Sequence, residues 1–167
     1  MTSASPLSTV RAVCPGSFDP FHLGHLDVVR RAAAVFAELV VLVLANPAKP
    51  GRFALAERVR LIEESLAAAG VSGARVVGAA GGLLVDHCRE LGAGVVVKGV
   101  RGPLDLGYET PMAVRNRQMT GVETLFLPCA PELSHVSSSL VAELAALGGP
   151  YADLVPAPVA AALASRA

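Results

Sequence analysis

Residues 10–25 read Val10-Arg11-Ala12-Val13-Cys14-Pro15-Gly16-Ser17-Phe18-Asp19-Pro20-Phe21-His22-Leu23-Gly24-His25. A short β-branched run, Val10 to Cys14, passes through a small-residue turn into a segment whose apolar positions recur with helical spacing. Apolar runs that do not alternate suit strands buried on both faces, as in parallel sheets. Such runs recur at Leu39 to Leu44, Ala74 to Val77 and Val95 to Val97, with a weaker fifth at Leu125 to Leu127. Helical periodicity is predicted over Gly24 to Phe36, Leu55 to Ala69, Leu83 to Leu91, Tyr108 to Met119, Ser137 to Leu147 and Pro158 to Leu163. Gly70 stands where a helix-ending glycine is expected. Strands alternating with helices describe repeated βαβ units. The expected fold is therefore α/β, a single-domain, doubly wound, five-stranded parallel sheet with C-terminal helices.

Composition narrows the function classes. Of 167 residues, 53% are hydrophobic and 17% charged, with 14 Lys and Arg against 14 Asp and Glu. A chain this apolar is not disordered by composition. Zero net charge offers no field for a diffuse polyanion surface, so neither a nucleic-acid partner nor a membrane partner is expected. The most apolar stretch, Ala32 to Ala45, contains Glu38 and is shorter than the roughly 20 residues that span a bilayer. Residues 1–9 lack a cationic start and an apolar core and read as a flexible leader, not a secretory signal. A cytoplasmic chain is expected. Cys14, Cys88 and Cys129 are odd in number and far apart, which argues against a disulfide framework or cysteine zinc site and for buried reduced thiols.

In an open α/β sheet, ligands bind beyond the carboxyl ends of the strands. After the first strand, Gly16 and Gly24 allow close backbone approach, and a helix N-terminus with His25 in its first turn offers N–H donors for phosphate. After the second comes Lys49, after the fourth Lys98-Gly99-Val100-Arg101, and after the fifth Ser137-Ser138-Ser139 leading into a helix. Singly, each has a structural alternative: turn glycines, solvated cations or an N-cap serine. His22 and His25 lack a third metal ligand at a recognisable spacing. Neither G-x-x-x-x-G-K-[ST] nor G-x-G-x-x-G occurs. Recurrence of cations and phosphate donors at one sheet edge, without a nucleophilic triad or a carboxylate pair, fits catalysis by positioning and neutralising phosphates.

His22-Leu23-Gly24-His25 resembles the H-x-G-H signature of nucleotidyltransferases. With Pro15-Gly16-Ser17-Phe18-Asp19-Pro20 before it, the chain resembles the bacterial phosphopantetheine adenylyltransferase family. Asn46-Pro47-Ala48-Lys49, Phe53 with Glu57-Arg58, Lys98-Gly99-Val100-Arg101, Asp105 with Tyr108-Glu109, Asn116 and Val136-Ser137-Ser138-Ser139-Leu140 follow in family order, from about Arg11 to Leu163. The resemblance implies a Rossmann-like nucleotidyltransferase domain over residues 10–167. It implies the reaction of ATP with 4′-phosphopantetheine to give dephospho-coenzyme A and pyrophosphate, with Mg²⁺ held mainly by the ATP phosphates and no protein metal site. A homohexamer, and inhibition by coenzyme A, are also implied.

By the same resemblance His25, Lys49 and Arg101 are the catalytic group. ATP would be bound by Ser17, Phe18, His25, Gly99, Val100, Arg101, Glu109, Leu133, Ser134, His135, Val136, Ser137, Ser138 and Ser139. Ser17, Lys49, Leu84 and Lys98 would hold the acceptor. The chain departs from the family where Lys98 replaces a frequent Arg, where Leu106-Gly107 replaces an aromatic and an acid, and at Leu133 and His135. A nicotinamide mononucleotide or glycerol 3-phosphate acceptor is the alternative within the superfamily, and a non-catalytic nucleotide-binding module the alternative outside it.

Overall fold

The computed structural model describes residues 7–45 and 51–166. Strands β1 (Leu7–Gly16), β2 (Phe36–Ala45), β3 (Ala74–Ala80), β4 (Val95–Val100) and β5 (Glu123–Pro128) form one sheet in the order β3-β2-β1-β4-β5, and every neighbouring pair is parallel. Helices α1 (Leu23–Ala33), α2 (Leu55–Ala68), α3 (Leu84–Glu90), α4 (Pro103–Thr120), α5 (Ser138–Ala146) and α6 (Ala157–Ala164) flank it.

Strand β2, an interior strand between β3 and β1, shows why the runs do not alternate. Leu39, Val41 and Val43 of β2 face a core that includes Ala12 and Cys14 of β1 together with α1, α2, α5 and α6. Val40 and Leu42 point the other way, toward Val13, Val96 and Cys88 of α3. Both sides of β2 are therefore sealed, and removing each such side chain from water stabilises the fold by roughly 1.5–3 kcal/mol. Helix α4 differs: only Asn116 is buried, while Leu104, Tyr108, Met112 and Met119 are exposed at helical spacing along it.

Several boundaries move relative to the sequence reading. Strand β1 begins at Leu7, before Val10; of the expected leader, residues 1–6 lie outside the described residues. The helix expected over 24–36 ends at Ala33, and Phe36 already opens β2, because the apolar run continues through the turn without a polar break. Helix α4 starts at Pro103 and not at Tyr108. Proline at the first helical position needs no N–H partner, and the Asp105 carboxylate accepts the Arg101 N–H at 3.0 Å, so the helix is set five residues earlier than Gly107 and Pro111 let the periodicity reveal. Cys129 is only partly buried, unlike Cys14 and Cys88, since it follows the last residue of an edge strand. Among the described residues no helix is long and apolar enough to cross a membrane.

Candidate active site

Strands β1 and β4 adjoin where the strand order reverses, and their ladder pairs Ala12 with Val95 and Val13 with Val96. At the carboxyl ends of these strands lies a cavity of about 470 Å³. Its walls come from the β1–α1 loop (Gly16, Ser17, Phe18), the start of α1 (Gly24, His25), the end of β4 with the residues after it (Lys98, Gly99, Arg101), the first turns of α4 (Asp105, Tyr108, Glu109) and the start of α5 (Ser137, Ser138, Ser139). This crevice is where open α/β sheets bind ligands.

Two histidines cap α1 reciprocally. His22 is the N-cap, and its Nδ1 accepts the N–H groups of Gly24 at 3.1 Å and His25 at 3.4 Å; His25 Nδ1 in turn accepts the His22 N–H at 3.3 Å. The folded-back ring explains the glycine between them, since a Cβ at Gly24 would lie 3.0 Å from His22 Cε1. The rings of His22 and His25 stack 3.6 Å apart, and Phe18 meets His25 edge-on at 4.9 Å. With each Nδ1 engaged as an acceptor, the proton of each neutral ring sits on Nε2. Burial, then the Arg101 charge, lowers the His22 pKa to about 4. Burial, followed by His22 and Arg101, holds His25 well below the ordinary histidine value. His25 thus presents a neutral Nε2–H donor and has no spare basic nitrogen.

A second helix N-terminus reaches the same cavity. The Ser137 side chain accepts the Leu140 N–H at 3.1 Å and caps α5, and the Ser138 hydroxyl donates to the Pro20 carbonyl at 2.9 Å, tying α5 to the β1–α1 loop. Among the described residues neither hydroxyl is hydrogen-bonded to a histidine or a carboxylate. The Cys14 thiol, pushed up to about 12 by burial, stays protonated and is no nucleophile.

The cavity's cations are held by carboxylates on successive turns of α4. Lys98 Nζ lies 3.2 Å from Glu109. Arg101 forks onto Asp105, Nε to Oδ2 at 2.8 Å and Nη2 to Oδ1 at 3.0 Å. Hydrogen bonding to Arg101 keeps the Asp105 carboxyl below the usual carboxylate range. Two helix N-termini, a neutral imidazole donor and two oriented cations can hold a polyphosphate and stabilise charge growing on it. Among the described residues no three His, Cys, Asp or Glu side chains converge as a metal site.

Residues 13–144 match the cytidylyltransferase-like family. The chain is 56% identical over 156 residues to a phosphopantetheine adenylyltransferase of Clavibacter michiganensis subsp. michiganensis, covering 93% of this chain and 96% of that one. It is 52% identical over 149 residues to one from Micrococcus luteus, covering 89% and 94%. The chain belongs to the phosphopantetheine adenylyltransferase family. Its fold is also that of a bifunctional NMN adenylyltransferase/ADP ribose pyrophosphatase from Francisella tularensis, with a TM-score of 0.68 at 16% identity over 87% of this chain and 44% of that one.

Of the positions that the family resemblance picks out, Ser17, Phe18, His25, Lys98, Gly99, Arg101, Glu109, Leu133, Val136, Ser137, Ser138 and Ser139 line the cavity. Val100, Ser134, His135 and Leu84 do not. Ser134 and His135 are exposed beyond the rim, and Leu84 begins α3, packed against the opposite core. Lys49 lies outside the described residues. The cavity adds Cys14 and Cys129, at or next to strand ends, and Val28 on the buried face of α1, whose apolar side chains carried no signal of a site.

Proposed function

We propose that this cavity transfers the adenylyl group of ATP to 4′-phosphopantetheine, releasing pyrophosphate and giving dephospho-coenzyme A. The observation that carries the reading is the reciprocal histidine cap: it leaves His25 a donor in the cavity that Lys98 and Arg101 also line, with its own basic nitrogen already engaged. A phosphate monoester is already anionic near neutral pH and needs no base. An acceptor phosphate oxygen forms a bond to the α-phosphorus of ATP while the bond from that phosphorus to the α,β-bridging oxygen breaks, and pyrophosphate leaves with the electron pair. His25 Nε2–H stabilises the charge on the transferred phosphoryl group. Arg101, the Gly99–Val100 backbone, Ser17, Phe18, Glu109 and residues 133–139 hold ATP. Lys49 and Lys98 orient the acceptor phosphate, and Ser17 touches both substrates; Leu84, outside the cavity, could meet only the far end of a pantetheine arm that extends beyond it.

The donor set bears on the metal. Asp105 and Glu109 are engaged by Arg101 and Lys98, so the described cavity offers no protein cage, which fits Mg²⁺ carried on the ATP phosphates. Bound there, it would neutralise phosphate charge. The exposed stripe Leu104, Tyr108, Met112 and Met119 supports self-association, which we take to be the homohexamer. Coenzyme A, sharing the pantetheine arm and adenylyl group of the product, would occupy the same cavity as an inhibitor. A cytoplasmic location fits an ATP-consuming enzyme with free thiols.

Mass analysis of a reaction containing ATP, Mg²⁺ and 4′-phosphopantetheine tests the reading. Dephospho-coenzyme A is the expected product, with no exchange of labelled pyrophosphate into ATP unless the acceptor is present. Exchange without acceptor would indicate an adenylyl-enzyme and contradict direct displacement.

A further inference from the structure

Arg58, in the first turns of α2, is 7% exposed and does not line the cavity. Its guanidinium makes three connections. Nη1 donates to the Ser17 carbonyl at 3.1 Å, Nε donates to the Phe53 carbonyl at 2.7 Å, and Nη2 lies 3.6 Å from Asp19 Oδ2. The Asp19 carboxylate completes the link by accepting the N–H groups of Arg52 at 2.7 Å and Phe53 at 3.0 Å. Buried charges are costly unless paired and hydrogen-bonded, and these two are both.

We propose that Arg58 and Asp19 are positioning residues that fix the spacing between the Ser17–Phe18 loop and the segment 51–53. This rests on the proposed adenylyl transfer, because the first stretch then meets ATP, through Phe18 and through Ser17 where both substrates join, while Gly51 of the second follows the acceptor-side Lys49 by two residues. An arginine is required by the geometry. One planar fork satisfies carbonyls from both stretches at once, which a lysine ammonium on a single stem cannot do in the same orientation. Gly51 is fitted to the same pair: a Cβ there would fall 2.0 Å from Arg58 Nη2 and 2.8 Å from Asp19 Oδ2. The backbone passes directly over the ion pair, and the guanidinium cannot yield without releasing Ser17 or Phe53.

Arg58→Lys and Gly51→Ala disturb the link from its two sides, and both are tested in the full chain. Turnover per nucleotide-binding site is expected to fall about 10- to 100-fold, the scale of a misplacement of about 1 Å, while ATP affinity changes less than about threefold. Hydrogen exchange at the Arg52 and Phe53 amides is expected to quicken with that of β2 unchanged. A lowered melting temperature with wild-type turnover per folded site would make the pair mere structural support and overturn the proposal. A wild-type chain that takes no 4′-phosphopantetheine sinks the proposed function separately. The exchange rates then decide alone, and unchanged rates at Arg52 and Phe53 overturn the link itself.

Discussion

His22 and His25 stack with ring centroids 3.6 Å apart, and the Nδ1 of each accepts a backbone N–H from the other residue. Two side chains in the first turn of α1 therefore do what a Ser-x-x-Glu capping box does, and they do so only while unprotonated on Nδ1. The cap and the active-site donor are one structure.

His25→Ala is expected to lower kcat by about 10² to 10³, the range for deleting one transition-state donor, with ATP binding by calorimetry nearly unchanged. Loss of ATP binding in proportion to the rate would make His25 a ground-state ligand instead.

The cap also makes stability depend on pH. With His22 lowered to about 4 and His25 also held well below the ordinary value near 6.5, both chiefly by burial, the unfolded chain binds protons that the folded chain refuses. Stability is full above about pH 6.5 and declines as pH falls from there toward 4, by about 3 kcal/mol for His22. Urea titrations at pH 7.5, 5.5 and 4.5 measure this decline. His22→Asn keeps an N-cap acceptor without a titrating ring and should flatten the profile; an equally steep one would assign the acid sensitivity to other groups.

Arg101 owes its aim to Asp105. Asp105→Asn is expected to weaken ATP binding about threefold to tenfold by loosening the fork, and Arg101→Lys somewhat more, since lysine keeps the charge and loses the two-pronged grip. Calorimetry with ATP reads both. Tighter binding in Asp105→Asn would mean that the carboxylate chiefly competes with phosphate for Arg101.

Lys49→Ala is expected to raise the KM for 4′-phosphopantetheine and leave that for ATP alone. Unchanged acceptor KM and kcat would remove Lys49 from the site.

The sheet was legible in the sequence because β2 seals both of its faces: Leu39 through Val43 are all buried, so no polar alternation interrupts the run. The cavity wall was legible through His25, Lys98, Arg101 and Ser137–Ser139 for a related reason, that polar residues directly after a strand must emerge at its carboxyl end. What escaped depends on contacts distant in sequence. No local pattern announces that Arg58 bonds a carbonyl 41 positions away, at Ser17. Nor does the stretch around Gly107 and Pro111 look helical until the Asp105 carboxylate is seen accepting the Arg101 amide. Phe36 was misplaced because its apolar neighbours on both sides suit helix and strand alike.

The central claim, an adenylyl transferase whose acceptor is 4′-phosphopantetheine, is tested most directly by comparing kcat/KM for pyrophosphate release from ATP with 4′-phosphopantetheine, nicotinamide mononucleotide and glycerol 3-phosphate as separate acceptors. The account predicts release with 4′-phosphopantetheine at least about 10³-fold above the other two, the order of discrimination available to a site built to pair with its substrate's polar groups. Preference for nicotinamide mononucleotide, or no release with any acceptor, would contradict it.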